Sequence, residues 1–233
     1  VSNPVFLCAD LSGDRVVVDG QEGRHAATVK RIRVGEHLDL VDGVGTRCTC
    51  VVVSSTKDTV TCDVLTRAVE PPASPKLTLV QALAKGDRGE LAVELATEVG
   101  VDEIRPWAAA RCQLSWDGER GAKALERWRS TAREAGKQSR RARFPVIGDL
   151  LRTRDIPALG GQLLVLHEAA SVPLSSVPLT GDVVLVVGPE GGVSPEELEL
   201  LGGTAVRLGP SVLRTSTAGA AAAAVVSSRT GRW

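Results

Sequence analysis

The stretch that decides the fold is Val183–Leu201, VVLVVGPEGGVSPEELELL. Its first five residues, four valines and a leucine, read as a strand buried on both faces, as in a parallel sheet. The strand runs into Gly188-Pro189-Glu190-Gly191-Gly192, where glycines allow a tight turn and let main-chain N–H and C=O groups approach a ligand. The next helix has strong start signals: Ser194 as N-cap, Pro195 in the first helical position and Glu197 completing a capping box. In open α/β sheets ligands bind beyond the carboxyl ends of the strands, which places this turn at a binding site.

Working outward, two more strands end in unusual loops. Leu163–Leu166 leads into His167-Glu168-Ala169, and Ala205–Leu208 leads into Gly209-Pro210-Ser211-Val212-Leu213-Arg214-Thr215. If these strands are neighbours of Val183–Val187, three loops converge at one edge of the sheet. An Ala-rich helix over Leu213–Ser228 closes the chain. Upstream lie a strand at Leu77–Leu83, an amphipathic helix at Asp87–Val99 with Leu91, Leu95 and Val99 four apart and Ala92 and Ala96 beside them, a strand at Glu103–Ala108 and a long basic helix at Gly118–Gln138. This alternation specifies an α/β layer with a largely parallel sheet. Neither G-x-G-x-x-G nor G-x-x-x-x-G-K-[ST] occurs, which argues against a dinucleotide fingerprint and a phosphate loop.

Residues 1–70 have a different rhythm. Short alternating segments, Val5–Cys8, Arg15–Asp19, His37–Val41, Arg47–Val53 and Thr59–Leu65, are separated by Gly- and Asp-containing turns, with one helix near Glu22–Arg31. Several short strands in so few residues predict a small β-barrel. Pro71-Pro72-Ala73-Ser74-Pro75 continues neither a helix nor a central strand, so the boundary falls there, with the second domain at 76–233.

Composition narrows the function classes. The chain has 233 residues, 43% of them apolar and 24% charged, and no apolar run approaches the roughly 20 residues of a membrane span. No basic-then-apolar leader pattern opens it, so the expected location is the cytoplasm, without a membrane partner. Five cysteines, an odd number with no C-x-x-C spacing, predict neither a disulfide framework nor a metal site. The 28 basic and 28 acidic residues cancel, yet the surface field depends on clustering. Between Arg120 and Arg143 stand nine basic residues against Glu126 and Glu134, and Arg24, Lys30, Arg31 and Arg33 form a second group.

GPEGGVSPEE followed by LGPSVLRTSTAGAAA, with LHEAA upstream, resembles the cofactor-binding end of the SPOUT superfamily of trefoil-knotted RNA methyltransferases. More narrowly, AKGDR (Ala84–Arg88), ELATEVGVDEIRP (Glu94–Pro106), AARC (Ala109–Cys112) and EAGKQSRRARFP (Glu134–Pro145), in that order, are similar to the family that methylates uracil N3 in bacterial 16S rRNA. HAATVKRIRVGEHLDLVDGVG (His25–Gly45) resembles that family's PUA-like RNA-binding barrel. The resemblance implies a SPOUT-type α/β trefoil-knot domain after a PUA-like β-barrel, S-adenosylmethionine as cofactor, 16S rRNA of the 30S subunit as partner, and a homodimer.

Carried over by position, the cofactor pocket comprises Leu166, His167, Glu168, Val187, Gly188, Pro189, Glu190, Gly191, Gly192, Leu208, Gly209, Ser211, Val212, Leu213, Arg214 and Thr217. Family members more often carry an acidic residue and a proline where this chain has Ser216 and Gly219. Removing the N3 proton calls for a base, with Glu190 and His167 as candidates, and for a cation such as Arg214 facing the developing anion; the alternative roles are Glu190 fixing the loop through backbone hydrogen bonds and Arg214 holding the cofactor carboxylate. N3 lies on the Watson–Crick edge, so the target must be unpaired or extruded, which demands a strong grip on RNA. Arg31, Arg33, Lys85, Arg88, Arg111, Arg133, Arg140 and Arg141 form the expected phosphate-contact set. Trp107, Trp116 and Trp128 are either stacking platforms or core residues. Two other functions remain compatible with the sequence: ribose 2'-O methylation by a related knotted enzyme, and a non-catalytic RNA-binding ribosome assembly factor.

Overall fold

The computed structural model describes residues 3–233 and forms two compact units. One contains the described part of Val1–Pro72 together with Gly136–Phe144, and the other contains Ala73–Ala135 and Pro145–Trp233. The Pro-rich stretch therefore marks the passage between units. Gly136–Phe144, which a single cut at that stretch assigns to the second domain, packs with the first instead. Phe144 N–H donates to the Gly43 carbonyl, Arg143 donates to the Glu70 carbonyl, and Lys137 meets Glu22 at 2.6 Å.

In the first unit the elements are β1 (Val5–Leu7), β2 (Arg15–Val18), α1 (Gly20–Arg24), β3 (His37–Val41), β4 (Thr46–Ser55) and β5 (Val60–Val69). Helix α1 continues as a π-helical turn over His25–Val29. The five-stranded sheet has the order β1-β3-β4-β5-β2, antiparallel except for the parallel pair β1 and β3. Alternate residues point to one core of Phe6, Val16, Val18, Leu38 and Leu40, completed by Cys48, Cys50 and Cys62. These thiols serve as small apolar side chains.

The second unit holds β6 (Leu77–Ala82), α2 (Arg88–Glu98), β7 (Glu103–Ala108), most of α3 (Gly118–Gln138), β8 (Val146–Ile147), β9 (Leu151–Arg152), β10 (Gln162–Leu166), β11 (Val183–Val187), α4 (Pro195–Leu201), β12 (Thr204–Val206) and α5 (Thr215–Arg229). Its sheet has the order β12-β10-β11-β6-β7-β8, with β9 also on β7, and every pairing is parallel. Strands β6 and β11 are buried along their whole length, as a sheet covered on both faces requires. Strands β8 and β9, two residues each, are too short to leave a periodic pattern in the sequence.

Two expectations change in detail. Helix α2 forms as predicted but buries Ala92, Val93, Ala96 and Thr97, while Leu91 is 39% exposed. That face meets α5, which buries Gly219, Ala222, Ala223 and Val226, and close approach of two helices favours small residues over leucine. Strand β12 stops at Val206, and α5 begins at Thr215 with Arg214 as its N-cap. The chain thus leaves β12 at the sheet edge and returns to pack α5 on β11 and β6. This is the SPOUT-type α/β trefoil-knot arrangement.

Candidate active site

Strands β12, β10 and β11 lie side by side, so the loops that follow them do converge. They enclose a cavity of about 460 Å³, within the range of small-molecule sites. Of the residues expected to hold a cofactor, Leu166, His167, Glu168, Val187, Gly188, Pro189, Glu190, Gly191, Gly192, Leu208, Gly209, Ser211, Val212, Leu213 and Arg214 line it. Thr217 does not. It sits inside the first turn of α5, where its N–H and hydroxyl both donate to the Arg214 carbonyl.

The cavity wall also includes Val193, Val206, Arg207, Pro210, Thr215 and Ala218, together with Arg88 and Arg111. The last two had been expected to touch RNA only. Nothing near Arg88 or Arg111 in the sequence signals this placement, because it depends on which strand ends meet. Thr215 ends the recognised loop and Ala218 lies in the first turn of the helix after it, and the start of α5 brings both to the wall.

Local chemistry explains the shape of the glycine loop. The Glu197 N–H donates to the Ser194 hydroxyl and the Ser194 N–H to the Glu197 carboxylate, each at 3.2 Å, so the capping box is formed. Gly192 has φ +72°, where a side chain is strained, and a Cβ on Gly188 would come within 2.7 Å of Val193 Cγ2. The Thr215 hydroxyl donates to the Gly188 carbonyl at 2.9 Å and accepts from the buried Gln81 amide, also at 2.9 Å.

Four guanidiniums border the cavity. Arg88 pairs with Glu190 at 3.1 Å, and Arg111 donates to the Gly191 carbonyl at 3.0 Å. Arg207 and Arg214 are exposed and form no ion pair among the described residues. His167 Nδ1 accepts the Ala169 N–H at 3.2 Å, so in this arrangement the ring proton sits on Nε2. Burial pushes the Cys112 thiol up, and the nearby carboxylates of Glu197 and Glu190 push it further.

The basic residues fall into separate groups. Arg31, Arg33, Arg140 and Arg141 belong to the first unit, whereas Lys85, Arg88, Arg111 and Arg133 belong to the second. Arg31, Arg33 and Lys85 are exposed without an ion pair among the described residues, while Arg133 is tied to Glu126 at 3.0 Å. Arg31 and Arg140 adopt left-handed backbone conformations, φ 55° and 58°. Trp107 and Trp128 are buried, and Trp116 packs edge-on to Trp128 at 5.1 Å, so these rings are packing elements. Among the described residues no cluster of three or more His, Cys, Asp or Glu is arranged for a metal ion, and no helix is long and apolar enough to cross a membrane.

A parallel sheet whose C-terminal loops enclose a small-molecule cavity bordered by arginines, following a separate β-module, is the architecture that the resemblance to the SPOUT RNA methyltransferases implies. Accordingly, residues 71–227 match the family model of the RNA methyltransferase domain and residues 18–65 that of the RNA methyltransferase PUA domain. The chain is 50% identical to ribosomal RNA small subunit methyltransferase E of Mycobacterium bovis over 95% of its length and 89% of that protein. With the Bacillus subtilis protein of the same name it shares 31% identity over 91% of its length and 90% of that protein. Among solved structures, ribosomal RNA small subunit methyltransferase E from Neisseria gonorrhoeae bound to S-adenosyl methionine superposes with a TM-score of 0.88 at 29% identity, over 98% of both chains. A methyltransferase from Legionella pneumophila in complex with the same cofactor gives 0.89 at 30% identity, again over 98% of both. The chain belongs to the ribosomal RNA small subunit methyltransferase E family.

Proposed function

We propose that this protein is an S-adenosylmethionine-dependent methyltransferase that modifies N3 of one uridine in 16S rRNA of the small ribosomal subunit. The observation that carries the reading is the cavity formed where the loops after β10, β11 and β12 meet. Its chemistry suits the cofactor. The glycine loop exposes main-chain donors and acceptors, Leu166, Leu208 and Val193 offer apolar surface for an adenine, and Arg207 and Arg214 are available for a carboxylate. S-adenosylmethionine, when bound, supplies a methyl already activated by a sulfonium, so the protein mainly positions the acceptor and manages a proton.

In this reading Glu190 takes the N3 proton, with Arg88 setting the orientation of its carboxylate. Arg214 faces the negative charge that develops on the uracil carbonyl oxygens. The first unit grips RNA through Arg31, Arg33, Arg140 and Arg141, and the second unit adds Lys85 and Arg133. Thr217, Ala221, Ala224 and Ser228 recur at helical spacing on the less buried side of α5, which supports a homodimer built on that helix. The reading calls for no metal, and a ribosomal RNA substrate supports a cytoplasmic location.

The test is methylation in vitro of 30S particles and of free 16S rRNA lacking the mark, followed by nucleoside analysis. N3-methyluridine is the expected product. A methyl on ribose, or RNA binding with no transfer, overturns the reading.

A further inference from the structure

Glu197 is only 4% exposed, and its carboxylate collects donors from three separate segments. One oxygen accepts the Ala110 N–H at 2.8 Å and the Thr153 hydroxyl at 2.9 Å, and the other accepts the Ser194 N–H at 3.2 Å. The Thr153 oxygen in turn accepts the Trp107 indole N–H at 3.1 Å. A capping box needs only the Ser194 contact, so the bonds to Ala110 and Thr153 call for a further explanation. Ala110 immediately precedes Arg111, and Ser194 closes the loop that contains Gly191. One buried carboxylate therefore fixes both sides of the Arg111–Gly191 hydrogen bond on the cavity wall.

We infer that Glu197 is a positioning residue for cofactor binding, acting through Arg111 to hold the Gly191 carbonyl and the glycine loop in the shape that receives the cofactor. Glu197 does not line the cavity itself. The inference rests on the methyltransferase reading of that cavity. A glutamine at this position keeps the volume but turns an amide donor towards one of the three donors now satisfied. A buried donor left without its acceptor moves the loop or weakens its hold. The cost falls on binding the cofactor, because no group that touches the acceptor is displaced.

The experiment compares wild type, Glu197→Gln, Arg111→Ala and the double variant. It measures S-adenosylhomocysteine affinity by calorimetry and methyl transfer to 30S particles at varied cofactor concentration. Each single change is expected to weaken S-adenosylhomocysteine binding and raise the cofactor KM by about tenfold, with kcat of Glu197→Gln at saturating cofactor within about threefold of wild type. The double variant should lose no more than the worse single, within about twofold, because the two residues act on one element. Thr153→Val, which removes one donor to Glu197 and leaves the Trp107 indole N–H without its acceptor, should shift affinity in the same direction, and it carries the test if Glu197→Gln does not fold. Unchanged affinity in a folded Glu197→Gln, additive losses in the double variant, or a fall in kcat at constant KM would each overturn the inference. Wild type that binds no S-adenosylhomocysteine overturns the methyltransferase reading itself, which keeps the two failures distinguishable.

Discussion

The Thr215 hydroxyl donates to the Gly188 carbonyl at 2.9 Å, joining the first residue of the last helix to the first residue of the glycine loop. The same oxygen accepts from Gln81 Nε2, so three distant segments share one buried polar contact. Replacing Thr215 with valine keeps the shape, leaves the Gln81 amide nitrogen with the Ala82 carbonyl at 3.2 Å and one donor unsatisfied, and frees the Gly188 carbonyl. Stability should fall by about 1–3 kcal/mol, the usual cost of an unsatisfied buried group, with S-adenosylhomocysteine affinity falling as well. Urea unfolding with calorimetry checks both. A valine variant with wild-type stability would show that the contact does not hold the loop.

Arg140 follows α3 as a left-handed cap: its N–H donates to the Lys137 carbonyl and the next N–H, of Arg141, to that of Gly136, a pattern usually completed by glycine. An arginine there carries strain of roughly 1–2 kcal/mol, and its side chain is exposed. Arg140→Gly should therefore raise the melting temperature while weakening RNA binding and flattening its salt dependence. A variant that is both more stable and undiminished in RNA affinity would remove Arg140 from the RNA surface.

How far the sequence reveals this molecule follows from the range of each interaction. Val183–Leu201 was readable because strand, turn and capping box are contiguous, and each leaves its mark within a few residues. The buried face of α2 was readable only in part: Ala92 and Ala96 stand on it, but its centre is not the leucine stripe. Bulk favoured Leu91 and Leu95, but the face was decided by the small residues of α5, more than a hundred positions away. Likewise Gln81 and Thr215, 134 residues apart, meet only because of the strand order. Arg88 and Arg111 look like RNA contacts in a linear reading for the same reason: their distance from Glu190 and Gly191 exists only after folding. Arg140 shows a different limit, since local rules ask for glycine where the chain places a cation.

The thiols of the first unit predict an alkaline weakness. Burial pushes Cys50 up to about 12 and Cys62 up to about 11, from an ordinary value near 9. Below that ordinary value both states keep the proton and the contribution of the buried thiols to stability is complete. Above it the unfolded chain ionises first, so stability is lost as pH climbs towards the folded values. Melting should therefore become steeply pH-dependent above about pH 9, and less so in a Cys50→Ala, Cys62→Ala variant. In the native protein an alkylating reagent should modify half-exposed Cys8 and Cys112 before Cys48, Cys50 and Cys62. An identical alkaline slope in the double variant would assign the effect to other groups.

Glu190 and Glu168 are the two carboxylates on the cavity wall, and Glu190 alone of the two is aimed by an ion pair, with Arg88 at 3.1 Å. If that carboxylate removes the N3 proton, Glu190→Gln should lower kcat at neutral pH by about 10²–10⁴, with S-adenosylhomocysteine affinity within about threefold of wild type. The lost rate should return as pH rises, because uracil N3 then ionises without help. Arg88→Ala leaves the base in place and disturbs only its orientation, so it should cost less, about tenfold in kcat. Single-turnover methylation of 30S particles across a pH series separates the outcomes. A Glu190→Gln rate that stays low at every pH would mean that the side chain shapes the loop rather than taking the proton.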